Sequence, residues 1–236
     1  MAKSKNLIIN GSGSYSGGSY DKIIIRGEGT VTGDVECSLF KTYGTSEAVE
    51  NVKVETMKVF GEGEVKGQFH AGELVVMGTM SIGGKALIKK LKVRGMLDAG
   101  ERLYGENVDI KGSIAVEGDV EYDTFHSIGS FEIKGLLNAE TIQIALRHSN
   151  STAEEIGGGK ISVKRKSALL PFFKDNGSLT AKVIEGDDIY LENTEAEVVR
   201  GNTVKIGPGC TIGSVEYVYH FSQSLDSTVK VKTKRA

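Results

Sequence analysis

Met57-Lys-Val-Phe-Gly-Glu-Gly-Glu-Val-Lys-Gly-Gln-Phe-His-Ala-Gly-Glu73 runs straight into Leu74-Val-Val-Met-Gly-Thr-Met-Ser-Ile-Gly-Gly-Lys-Ala-Leu-Ile-Lys-Lys90, two rows of equal length with the same outline. Glycine stands fifth in both, and it recurs at one constant interval as Gly27, Gly44, Gly61, Gly78, Gly95, Gly112 and Gly129. A fixed period of this length marks a repeat architecture and is read before any local propensity. Written in rows from Ile23, the first column is Ile23, Phe40, Met57, Leu74, Leu91, Val108, Phe125 and Ile142, apolar throughout. The third, ninth, thirteenth and fifteenth columns are mainly apolar too, whereas even columns carry most of the charge. Such alternation belongs to strands with one buried face. Column five and column eleven (Gly33, Gly67, Gly84, Gly118, Gly135) supply the corners, because glycine tolerates positive φ and close backbone approach. Each row therefore predicts three short strands and three bends, and the stacked rows predict an all-β fold: a single-stranded, right-handed parallel β-helix of about 17 residues per turn.

Composition agrees with one repeating body. Glycine makes up 31 of 236 residues against only two prolines, with no collagen period. A net charge of −2 gives no general reason to expect nucleic acid as a partner. Cys37 falls in an inward column, where a thiol behaves as a small apolar group. With Cys210 as the only other cysteine there is no disulfide framework, which favours a reducing, cytoplasmic setting. No apolar run is long enough for a membrane span, and no signal peptide is legible.

Along the chain, residues 1–6 read as a short polar tail, and Leu7-Ile-Ile-Asn-Gly-Ser-Gly13 as a first turn resembling Ile23–Gly29. The main β-helix is expected over 7–162, although the row beginning at Ile142 loses the pattern, with Leu146 at the corner position. Residues 163–178, basic first and then apolar (Leu169, Leu170, Phe172, Phe173), read as an insertion. Closing turns are expected over 179–221 with Ile189 and Ile206 one turn apart, and 222–236 as a solvated basic tail.

Chemistry is sought in several places. Gly27-Glu-Gly29 and Gly61-Glu-Gly63 lack the helix that a dinucleotide fingerprint needs. His70, His126 and His148 occupy different columns, so no metal set is expected. Column eight holds Glu47, Glu64, Asp98 and Glu132 but alternates with neutral turns, and no aromatic groove accompanies it. Ile206-Gly-Pro-Gly-Cys-Thr-Ile212 resembles one hexapeptide unit of acyltransferases, and it occurs once. A β-helix enzyme, either a hexapeptide-type acyltransferase or a polysaccharide-active protein, is the alternative these features keep open. Column four is the outward column that breaks the rule: Tyr43, Phe60 and Met77 follow one another between Arg26 and Arg94, an exposed apolar stripe to be covered by the insertion or by a partner.

The units Ile25-Arg-Gly-Glu-Gly-Thr-Val-Thr-Gly-Asp-Val35, Val59-Phe-Gly-Glu-Gly-Glu-Val-Lys-Gly-Gln-Phe69 and Ile110-Lys-Gly-Ser-Ile-Ala-Val-Glu-Gly-Asp-Val120 resemble those of bactofilins, the polymer-forming cytoskeletal β-helix proteins of bacteria. The insertion and second set of turns are more like the longer members from Gram-positive rods. The resemblance implies right-handed winding, end-to-end assembly without nucleotide, and service as a scaffold that localises client proteins, sometimes through weak association with the membrane, in a group associated with motility and envelope processes. The residues themselves give no expected catalytic, metal or cofactor set. Independently, each end of a β-helix exposes unpaired backbone groups that template another chain. Leu7 and Ile9 at one end, and Tyr217, Tyr219 and Phe221 at the other, are the expected assembly residues.

Overall fold

The computed structural model describes residues 5–147, 149–166 and 177–235. Among them every regular element is a strand, and the chain is a parallel β-solenoid of about 13 turns with roughly 17 residues per turn. Two compact units divide it, Met1–Gly118 and Asp119–Ala236.

In the first unit the rows stack residue on residue. Leu7 pairs with Ile23, Ile23 with Phe40, Phe40 with Met57, Met57 with Leu74, Leu74 with Leu91 and Leu91 with Val108. From Ile23 onward all of these are buried, and each contributes about 1.5–3 kcal/mol relative to an exposed side chain. Val31, Ala48, Val65, Ile82, Ala99 and Val116 form a second buried ladder on the next side of the turn. Val35, Val52, Phe69, Ala86 and Leu103 form the third.

The corner glycines are required for one of the two reasons that the sequence offers. None of Gly27, Gly44, Gly61, Gly78, Gly95 or Gly112 has positive φ, a conformation found among the glycines at Gly18, Gly33 and Gly209. What excludes a side chain is proximity: a Cβ on Gly44 would overlap the carbonyl oxygen of Gly27, and likewise for Gly61 on Gly44, Gly78 on Gly61, Gly95 on Gly78 and Gly112 on Gly95. The next residue's amide binds that same oxygen, as in Thr79 N to Gly61 O at 2.9 Å and Met96 N to Gly78 O at 2.9 Å.

The second unit keeps the stacking but not the interval. Ile142 pairs with Ile161, Ile161 with Ile189, Ile189 with Val204 and Val204 with Phe221, so the turn is longest across the insertion and shortens after it. This corrects the expected pairing of Ile189 with Ile206: Ile206 pairs with Leu191. A slip by an even number of positions is invisible to a pattern of period two, since both Val204 and Ile206 point inward. Asn193, at φ 44°, and Gly209, at φ 78°, make left-handed corners here. Leu146, placed at a corner when the regular frame is carried this far, is instead a buried strand residue whose carbonyl accepts from Lys166 N at 2.9 Å.

Two boundaries shift as well. Strand Ser151–Arg165 carries Val163 into the core opposite Leu191, so the solenoid continues past residue 162. Residues 222–236 are not simply a tail: Thr228–Lys234 pairs in parallel with Thr211–Tyr217, although most of its side chains stay exposed. The apolar part of the insertion, including Leu169, Leu170, Phe172 and Phe173, lies outside the described residues.

The corner geometry predicts that Gly78→Ala lowers the unfolding free energy by about 1–3 kcal/mol, the usual cost of overpacking. Gly11→Ala, at the same corner of the first turn with nothing within 4 Å, should change it by less than about 0.5 kcal/mol. Urea denaturation of the two variants measures both.

Candidate functional site

The ends of the solenoid come first, because they carry the unpaired backbone. The first strand, Lys5–Ile9, pairs only with Ser12–Ile25 among the described residues. Its strand alternation sends Ile9 into the core and leaves Leu7 half-buried, whereas Ile8 is 51% exposed. Ile9 therefore offers only its backbone to an incoming strand, and Ile8 is the apolar contact that the Leu7/Ile9 reading passed over. At the other end, Tyr217 and Phe221 stack with ring centroids 5.4 Å apart, and Lys232 Nζ sits 5.4 Å from the Phe221 centroid. Tyr219 points away, 76% exposed. Tyr217 faces Lys234 on the added strand, so it belongs to the turn before the last.

The column-four stripe stands out from the surface as expected. Tyr43, Phe60 and Met77 are each about half exposed, and their amides bind Ile25 O, Thr42 O and Val59 O one turn earlier at 2.8, 2.9 and 2.7 Å. This regular spacing lays the rings of Tyr43 and Phe60 face to face, 4.9 Å apart and 3° from parallel. Arg94 closes one end of the stripe, with Nη2 2.7 Å from Asp109 Oδ2. Arg26, at the other end, donates to Asn10 Oδ1 at 3.0 Å.

Of the column-eight carboxylates, Glu47 and Glu64 stand in register on adjacent turns. Glu47 is ion-paired with Lys66 and accepts a hydrogen bond from Thr30, and the Lys66 ammonium holds its carboxyl below the usual range. Among the described residues no three His, Cys, Asp or Glu side chains converge on a point that could hold a metal. Nor, among them, is any helix long and apolar enough to cross a membrane.

One concavity escaped the sequence reading. In the second unit a groove of about 660 Å³ is floored by Gly158, Gly186 and Gly201, which lie in register on three successive turns. Its walls bear Glu185, Arg200 and Glu216. Arg200 Nε lies 3.4 Å from Glu216 Oε2, to which Arg235 Nη2 also reaches at 2.6 Å, and Asn202 donates to Asp187 Oδ1 at 2.7 Å. These charges are ion-paired, yet Arg200 Nε and Glu216 Oε2 are buried and make no hydrogen bond among the described residues. Arg235 ties the end of the last strand to the turn beneath it. The floor glycines are unequally spaced along the chain, so tabulation at the interval of the first unit scatters them over different columns.

Over 232 residues the chain is 47% identical to the uncharacterized protein YhbE of Bacillus subtilis (strain 168), a match that covers 98% of each chain. Over 100 residues it is 52% identical to the uncharacterized protein YhbF of the same organism, covering 42% of each. No protein-family model and no solved structure matches the chain.

Neither thiol is placed to act as a nucleophile. Burial pushes the Cys37 thiol up to about 12 and raises Cys210 as well, whose Sγ lies 3.3 Å from Leu191 O. A thiol held neutral in the folded state contributes its full share of stability below its unfolded value of 9.0, and that share is lost as pH rises from there toward 12. Folded protein in mildly alkaline buffer should leave both thiols unmodified by a disulfide reagent, and denaturant should release two equivalents. Modification of the folded chain at the rate of a free thiol would contradict the placement.

Proposed function

We propose that this chain, which belongs to the family of YhbE of Bacillus subtilis, is a structural protein that assembles end to end without nucleotide and serves as a cytoplasmic scaffold for client proteins. The observation that carries this reading is the open edge of Lys5–Ile9, where a row of backbone donors and acceptors lies beside the exposed Ile8. Pairing such an edge gains about 0.5–1.5 kcal/mol per hydrogen bond, and burying Ile8 adds about 1.5–3 kcal/mol. A sum of several kcal/mol suits a reversible, concentration-dependent contact. The resemblance of the repeat units to those of bactofilins supports the same reading.

The last strand has a different character. Lys230, Lys232 and Lys234 line Thr228–Lys234, and lysine on an edge strand is a device that blunts unwanted strand addition. Assembly through this end is therefore opposed by like charge and helped by salt, which screens exposed charges over about 8–10 Å at ordinary ionic strength. The rival reading, a polysaccharide-active or acyl-transferring enzyme, would use the glycine-floored groove, where Arg200 Nε and Glu216 Oε2 lie 3.4 Å apart, buried and without a hydrogen-bond partner among the described residues.

Negative-stain microscopy of the full chain without nucleotide should show linear assemblies that lengthen with protein concentration and with salt. Ile8→Lys should abolish them while leaving the thermal melt within a few degrees of the parent, since Ile8 is outside the core. Uniform single particles from the parent chain at every concentration would contradict the reading.

A further inference from the structure

We propose that the last strand, Thr228–Lys234, is a displaceable strap that closes the end of the second unit and, given the end-to-end assembly proposed above, on which this rests, must leave before a second copy of the chain can add a turn there. The strap completes a turn in its backbone and in little else. It pairs in parallel with Thr211–Tyr217, from Thr228 opposite Thr211 to Lys234 opposite Tyr217, and Arg235 N extends the ladder to Tyr217 O at 2.7 Å. Six of its seven side chains are exposed, and Val229 is half-buried.

The strand beneath it buries Ile212 and Val215, the last members of two ladders that run through Ala153, Ala181 and Ala196 and through Ile156, Ile184 and Val199. Above Ile212 the strap places Val229, and above Val215 it places Lys232. A lysine at an inward position ends the ladder, because a further turn stacked on it would have to cover an ammonium. Its stem lies along the end of the core while its charge stays in water, with Nζ 5.4 Å from the Phe221 centroid. Removal of the strap would bare Ile212 and Val215 beside the stacked rings of Tyr217 and Phe221. Apolar ladder ends with open backbone groups are the template that an added turn needs.

The strap is held firmly at one end and lightly along the rest. Its near end is anchored: Ser227 Oγ accepts from Cys210 N at 2.9 Å and donates to Gly207 O at 2.6 Å, and Gln223 Nε2 donates to Ser227 O at 2.6 Å. Beyond Ser227, Lys230, Lys232 and Lys234 make no ion pair among the described residues, and the latch is Arg235 on Glu216. That latch is incomplete, since Glu216 Oε2 is buried yet makes no hydrogen bond among the described residues. Glu216 also has a second cation, Arg200, with Nε 3.4 Å away, so release of Arg235 leaves no carboxylate without a counter-charge. Displacement is thus close to balanced in hydrogen bonds: an incoming strand remakes the ladder that the strap gives up, and an apolar side chain in place of Lys232 adds burial over Val215. Salt, by screening the latch, favours release.

A disulfide across the strap tests the proposal. Ser214 and Val231 stand opposite each other in register, so Ser214→Cys combined with Val231→Cys should close on oxidation and open on reduction. In the full chain, oxidation should raise the concentration at which light scattering detects assemblies longer than a pair by at least about tenfold, because the state competent to add a copy is no longer populated. Reduction should restore the parent value. Arg235→Glu, which sets like charge against Glu216, should lower that concentration several-fold. Amide exchange at dilution, where nothing assembles, reads the strap without the scaffold: Thr228–Lys234 should exchange faster than Thr194–Ile206 in the parent, faster still in Arg235→Glu, and slowly in the oxidised pair. Should the oxidised pair melt early, Arg235→Glu and the exchange rates still decide. Long assemblies of the oxidised pair at the parent's concentration would overturn the proposal, as would strap amides as protected as those of Thr194–Ile206. A parent chain that stays single at every concentration and salt, while its strap exchanges rapidly, would overturn the scaffold reading and the role of the strap with it.

Discussion

A carbonyl oxygen stands where a side chain would begin at each fifth-column corner of the first unit. Gly44, Gly61, Gly78, Gly95 and Gly112 each approach the glycine of the preceding turn so closely that no Cβ fits between them. That approach brings the next amide onto the same carbonyl, and so locks the vertical spacing of the turns at their corner. Once the corner repeats, every residue after it lands above its counterpart, and an apolar column becomes a buried ladder from Ile23 to Val108. Surface order follows from the same lock, since residues in one outward column become neighbours in space. Tyr43 and Phe60 can stack because the corner beside them allows no drift between turns.

The second unit shows what happens when the lock is loosened. Its turns differ in length from one to the next, and its corners use Asn193 and Gly209 in left-handed conformation. Stacking survives because inward residues still pair across turns, as Ile161 does with Ile189 and Ile189 with Val204. Glycines freed from the corner collect in the strands instead, where Gly158, Gly186 and Gly201 leave the groove that Glu185, Arg200 and Glu216 border. The first unit is thus a regular surface, and the second a body with a concavity in which Arg200, Glu216 and Arg235 are ion-paired.

Much of this was legible in the residues. The interval between Gly27 and Gly129 determines the strand count per turn, the inward columns and the exposed stripe, because spacing and burial are tied by backbone geometry. The pairing of Ile189 was not legible, since Val204 and Ile206 both satisfy an alternating pattern and only the corner at Asn193 chooses between them. Leu146 looked like a corner because the frame was carried past the point where the turn length changes. Strand Thr228–Lys234 was hidden by its lysines, which make an edge strand resemble a solvated tail. Ile8 was missed for a simpler reason: alternation picks Leu7 and Ile9, and the residue between them is the one that faces out.

Assembly through the open first edge is the claim on which the functional account turns, and amide hydrogen exchange addresses it at the level of the backbone. Full-length protein compared at low and high concentration without nucleotide should show the amides of Leu7, Ile8 and Ile9 gaining protection as particles grow, while those of Leu74–Val76, paired on both sides, stay protected throughout. Particles that grow while Leu7–Ile9 exchange as freely as before would contradict the account, because the contact would then lie elsewhere on the molecule.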